Sequence, residues 1–146
     1  MKKKLGWVLG GLVVALVVSQ MVPVQRTNPP ADGPLTLPAG EVGEILRGAC
    51  MDCHSHETVW PGYARVTPIK FLLANHVSEG RQNLNFSTWG SQTPERRGRK
   101  LEEIVEVVKS GEMPMATYTW MHPAARLTDE QRSALTAWAE AERARQ

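Results

Sequence analysis

Glu41-Val42-Gly43-Glu44-Ile45-Leu46-Arg47-Gly48-Ala49-Cys50-Met51-Asp52-Cys53-His54 is the stretch on which the reading of this chain turns. Val42, Ile45, Leu46, Ala49, Cys50 and Cys53 recur at i, i+3, i+4, i+7, i+8 and i+11, a single stripe at helical spacing. The pattern predicts one helix whose buried face the two cysteines continue. Those are the only 2 cysteines in the chain, and a histidine follows the second directly. C-x-x-C-H is the attachment signature of a c-type haem. Two thiols about one turn apart suit the two vinyl groups on adjacent edges of one porphyrin, and the next histidine supplies a nitrogen to the iron. Cys50 and Cys53 are therefore expected to carry one covalent haem as thioethers, with His54 as its proximal ligand.

Two other uses of a close cysteine pair fit less well. A thioredoxin-like dithiol belongs at a strand-to-helix junction, and the sequence offers no strand. A structural zinc site wants four ligands, usually with a second cysteine pair, and none exists. The sixth iron position stays open between Met113, Met115, His76, His122, His56 and no protein ligand at all. Met113 is the leading candidate, because thioether opposite histidine is a normal pairing for an electron-transfer haem. Met115 is the same residue type two positions on. His76 lies on the apolar stripe of its helix, where a histidine more often serves as a hydrogen-bonded core or distal-pocket group. Trp60 with Pro61 is a candidate wall for the pocket, with a carbonyl there to accept the His54 N–H. Arg81 is a candidate partner for a haem propionate.

Outward from the motif, every periodic segment is helical. A second helix is expected from about Pro68 to Glu79, with Ile69, Leu72, Leu73, His76 and Val77 on its apolar face and Gly80 as its stop. A third runs from Thr93 or Pro94 to Ser110, with Leu101, Ile104, Val105 and Val108 inward and Gly111 as its end. Residues 112–127 read as a loop. The last helix opens at Thr128, where Thr128 and Gln131 form a capping box, and packs through Leu135, Trp138 and Ala139. The fold expected is all-α, a small helical domain over residues 41–146.

Residues 23–40 hold five prolines, which forbid a regular helix and predict an extended linker. Ahead of it, Lys2-Lys3-Lys4 precede an uncharged run from Leu5 to Val22, 18 residues long. That is the short end of a membrane span. A cleaved signal peptide would share the basic start and the apolar run, but Val17-Val18-Ser19-Gln20-Met21-Val22 offers no small-x-small cleavage site. An anchor at residues 1–22 fits better, single-pass in the inner membrane, with the lysines inside and the haem domain in the periplasm. The formal net charge is only +2, and three of the basic groups lie in the anchor, so nothing calls for nucleic acid. The run Arg96-Arg97-Gly98-Arg99-Lys100, with Glu102, Glu103 and Glu106 close by, reads as a solvated helix face.

The stretch from Cys50 to about Trp138 resembles the bacterial haem-binding domain family of single C-x-x-C-H proteins. The resemblance runs through Cys50-Met51-Asp52-Cys53-His54-Ser55-His56-Glu57-Thr58-Val59-Trp60-Pro61-Gly62-Tyr63, then His76-Val77-Ser78-Glu79-Gly80-Arg81. It continues in Leu84-Asn85-Phe86-Ser87, Trp89, Gly111-Glu112-Met113-Pro114-Met115, Tyr118 and His122-Pro123. It implies a variant of the cytochrome c fold, often on an N-terminal anchor, and a haem more firmly than any physiological partner.

Three functions are compatible with these residues. The first is an electron carrier between redox protein partners at the membrane. The second is a haem sensor or small-ligand binder with an open or displaceable sixth site, using His76 as a distal donor. The third is a peroxidase-like enzyme, which wants a distal acid/base pair and finds only His76 and Arg81.

Overall fold

The computed structural model describes residues 2–146, and among them the only regular elements are helices. The order is α1 (Lys2–Met21), α2 (Glu41–Ala49), α3 (Met51–His54), α4 (Ile69–Asn83), α5 (Pro94–Ser110), α6 (Ala116–Met121) and α7 (Asp129–Arg143). Short 3-10 turns at Gly62–Arg65, Phe86–Thr88 and Pro123–Ala125 punctuate the connections. The chain is all-α, as its periodicity predicts.

The core joins α2, α5 and α7 with the segment after α4. Ile45, Leu46, Leu101, Ile104, Val108, Leu135 and Ala139 are buried together with Phe86 and Trp89. α5 and α7 run antiparallel, since Glu102 pairs with Arg143 at 3.2 Å and Lys109 with Glu140 at 2.8 Å. Those exposed pairs add little stability; the apolar seam beneath them holds the helices together. Both helices begin where the sequence places them. Thr93 accepts from the Arg96 N–H, and Thr128 and Gln131 form the complete capping box. Gly111 ends α5 with φ 80°, a conformation in which a side chain would be strained.

Several local expectations are corrected. The helix that begins at Glu41 does not run on through the cysteines. It stops at Ala49, Cys50 adopts φ −124° and ψ −40°, and a separate single turn carries Met51 to His54. α4 does not stop at Gly80 but continues to Asn83, and Ile69 and Leu72 of its expected apolar face are exposed, at 40% and 53%. The 112–127 segment holds α6 and a 3-10 turn, because six residues from Ala116 bridge two well-capped helices with a local helical turn.

Residues 23–40 are extended, as five prolines require, but they lie along the domain. The Asp32 N–H donates to Ser87 O (2.8 Å) and the Leu35 N–H to Phe86 O (2.7 Å), while Leu35 and Leu37 pack on the core. α1 is long and apolar enough to cross a membrane, and its residues 3–18 are exposed.

Candidate haem site

The single turn of α3 is fixed by its polar residues. Asp52 spends its side chain on two donors: Oδ1 accepts the Val59 N–H (2.9 Å) and Oδ2 the Tyr118 hydroxyl (2.9 Å). Its carbonyl accepts from Thr58 Oγ1 at 2.6 Å. Ser55, fully buried, donates to Met51 O at 2.7 Å and accepts the Glu57 N–H at 2.9 Å. Cys50, Cys53 and His54 are thereby presented on one side of a turn that has little freedom to reorient.

α4 lies directly against this turn, and Gly80 is the reason it can. A Cβ on Gly80 would stand 2.6 Å from the Cys53 carbonyl oxygen, a distance that side chains do not tolerate. The missing side chain brings the Gly80 carbonyl to 2.9 Å from His54 Nδ1, and Leu84 O stands at 3.1 Å. Both partners are acceptors only, so Nδ1 must carry the proton and Nε2 keeps its lone pair. The orienting carbonyls come from the end of α4 and the residue after it, not from the Trp60-Pro61 stretch as the sequence suggests. Burial also lowers the His54 pKa, against the raising effect of the two carbonyls. That direction favours the neutral imidazole, the form in which Nε2 can ligate a metal.

Cys50, Cys53 and His54 open onto a cavity of about 360 Å³. Leu46 of α2, Ile104, Val107 and Val108 of α5, Leu127, and Leu135 of α7 supply its apolar walls. Burial pushes the Cys50 thiol up to about 12, with the Cys53 charge adding to it. Cys53 rises to about 11 through burial and then Asp52. Thiols held protonated in this way are the opposite of the low-pKa thiolates that dithiol oxidoreductases need. They are suited to lie against an apolar ligand.

Met113, Pro114, Met115 and His76 line the same cavity. Met113 is held by its backbone. Its N–H donates to Val107 O (3.0 Å), and its carbonyl accepts from Arg132 Nη1 (3.4 Å), which also reaches Val108 O (2.9 Å). The other two histidines are committed elsewhere. His56 donates from Nδ1 to Pro30 O (3.1 Å) and accepts at Nε2 from Asn85 Nδ2 (2.9 Å). His122 donates from Nδ1 to Tyr118 O (3.1 Å) and stacks on the Tyr118 ring with centroids 4.2 Å apart.

Two predicted pocket residues stand apart from the cavity lining. Trp60 is half-buried beside the motif with its Nε1 unpaired. Arg81 uses its guanidinium within the protein: Nε donates to Ser55 O (2.7 Å), Nη1 to Thr27 O (2.8 Å), and Nη2 to Asn28 Oδ1 and Thr58 Oγ1 (2.9 Å each). It clamps the extended segment onto the α3 turn rather than facing a ligand. The cation on the cavity's rim is Lys100, paired with Glu103 at 2.6 Å.

Sequence reasoning names Asp52, Gly80 and Tyr118 but misses the contacts they make. Asp52 occupies a position that the motif leaves free, and its partner Tyr118 lies 66 residues away. The chemistry of the set suits haem: a partly open, mainly apolar cavity within the roughly 300–1,000 Å³ usual for ligand pockets, two thiols on its lining, and an imidazole oriented by two carbonyls. No curated protein and no solved structure is significantly similar to the chain. The model of the haem-binding domain family matches residues 14–141, which takes in every residue of the cavity. The chain belongs to the haem-binding domain family.

Proposed function

We propose that this protein is a mono-haem c-type cytochrome that transfers electrons at the outer face of the bacterial inner membrane, between redox protein partners. The observation that carries the reading is the meeting, in one mainly apolar cavity, of two thiols, a histidine whose Nδ1 faces two backbone carbonyls, and a methionine loop. Cys50 and Cys53 would hold the haem covalently, as thioethers to its vinyl groups. His54 would hold the iron through Nε2, and Met113 would hold it through its thioether sulfur. Bound haem supplies one-electron Fe(III)/Fe(II) chemistry. The protein holds the ligands, excludes water with Leu46, Ile104, Val108 and Leu135, and favours the reduced state through a soft sulfur donor. α1 serves as an uncleaved anchor, with Lys2–Lys4 on the cytoplasmic side.

A second reading rests on His76, which shares the cavity with Met113 and Met115. With an open or displaceable sixth position, His76 becomes a distal hydrogen-bond donor and the protein a small-ligand sensor. One experiment separates the two. Protein made with a cytochrome c maturation system should keep its haem through acid extraction. It should show a sulfur-to-iron charge-transfer band when oxidised and resist carbon monoxide when reduced. Haem that extracts into organic solvent sinks the covalent assignment. Ready binding of carbon monoxide by the unaltered protein favours the sensor.

A further inference from the structure

The C-terminal end of α1 is bonded to the haem domain in a way that a simple tether would not need. Lys70 is only 4% exposed, although lysine is among the residues least often buried. Its Nζ donates to Gln20 O at 2.8 Å and to Val22 O at 2.7 Å. Those carbonyls stand at and just beyond the last turn of α1, where a helix leaves its acceptors unsatisfied and a cation is favoured by the dipole. Gln20 returns the contact with its side chain: Nε2 donates to Arg65 O (2.6 Å) and Oε1 accepts the Thr67 N–H (2.9 Å).

The level of these bonds along α1 matters. The apolar residues of the span run on through Met21 to Val22, two residues past Gln20. A helix of the 20 residues Lys2–Met21 is roughly 30 Å long, about the thickness of a bilayer's hydrocarbon core. The 65–67 backbone is therefore held level with the last apolar residues of the span, not beyond them. Apolar side chains surround this junction and are exposed to solvent: Val66 at 52%, Ile69 at 40% and Leu72 at 53%. Val24 and Phe71 line a shallow groove beside Leu72. Ile69 and Leu72 defy the burial expected of α4's apolar face because they lie, with Val66, on the outside of the domain at its anchored end.

We propose that Val66, Ile69 and Leu72 form a lipid-contacting foot, seated in the outer leaflet's acyl–headgroup boundary and locked to the anchor by Lys70 and Gln20. The occupant of the patch is the bilayer itself, because the patch is continuous with a helix end whose length places it at the bilayer surface. The inference rests on α1 being a membrane span. Its consequence is that the haem domain has one fixed face toward the membrane.

The test uses full-length holoprotein in lipid nanodiscs of phosphatidylethanolamine and phosphatidylglycerol. A nitroxide is placed through a keto-bearing amino acid at one site at a time: Val13, Val66, Ile69, Leu72 or Glu130. Accessibility to oxygen, which concentrates in lipid, is compared with accessibility to a water-soluble nickel chelate. Labels at 13, 66, 69 and 72 should favour oxygen, and the label at 130 should favour nickel. A lipid-facing label at 13 with water-facing labels at 66, 69 and 72 overturns the foot and leaves the anchor standing. A water-facing label at 13 overturns both. Lys70→Met should turn the labels at 66, 69 and 72 toward nickel while leaving 13 unchanged. If they remain in lipid, Lys70 is not the lock.

Discussion

The turn that carries Cys50, Cys53 and His54 and the loop that carries Met113 and Met115 line one cavity, but they are held in different ways. The turn is knitted by polar groups from three other parts of the chain, through Asp52, Ser55, Thr58, Arg81 and the carbonyls of Gly80 and Leu84. The loop is tied at the Met113 backbone, at the start of α6, and through the single Tyr118–Asp52 bond. A satisfied polar network admits few alternative arrangements, whereas thioethers adapt to several. The contrast suits a site in which one side is set by fixed geometry and the other by a softer, replaceable contact.

The largest effect should come from the thiols. With Cys50→Ala and Cys53→Ala together, no haem should survive acid extraction or stain on a denaturing gel. Retention of covalent haem would break the assignment of the turn. Met113→Ala should come next. Losing the soft sulfur is expected to abolish the charge-transfer band, lower the reduction potential and let the reduced protein bind carbon monoxide. Met115→Ala should leave the band in place. If the band survives the first change and vanishes with the second, the ligand lies two residues along the loop.

Arg81→Ala tests the knitted side. It removes four hydrogen bonds from a charged group that is in part exposed, which should cost about 2–3 kcal/mol and lower Tm by roughly 10 °C or more. Arg81→Lys should recover little of this, since one ammonium cannot span those acceptors. An unchanged Tm for Arg81→Ala would remove the contrast. Tyr118→Phe is the smallest, at about 1 kcal/mol in a denaturant titration. It also carries a pH signature. Burial first, and then the bond to Asp52, raise the Tyr118 pKa, so its contribution is full below the ordinary tyrosine value of about 10 and fades as pH climbs beyond it. The stability gap between the parent protein and Tyr118→Phe should therefore narrow above about pH 10. A gap that stays constant would show that the hydroxyl contributes nothing through its proton.

What the sequence reveals here is what neighbours in the chain decide. The Thr128–Gln131 box, the Thr93 cap and the Gly111 stop are local devices, and each is found where its residues stand. The C-x-x-C-H spacing is equally local. Gly80 shows the limit. A glycine near a helix end reads as punctuation, yet its role is to let α4 touch the Cys53 carbonyl, a contact no window of sequence contains. Arg81 was legible as an anion-seeking side chain, but four neutral acceptors folded around it first. The prolines of 23–40 report an extended backbone correctly and are silent on what that backbone lies against.

α4 also works as a strut. Its first turn sits beside the Lys70 bonds to the end of α1, and the carbonyls that orient His54 belong to Gly80, within its last turn, and to Leu84, one residue past it. From Ile69 to Gly80 the rise is roughly 16 Å. With the proposed foot seated in lipid, such a rod would hold His54 at one height above the bilayer. A swinging domain would search a hemisphere for its partners; a domain at fixed height searches a plane. Encounter would then depend on lateral crowding and diffusion in the membrane rather than on linker length. Any partner would have to present its own redox centre at that altitude.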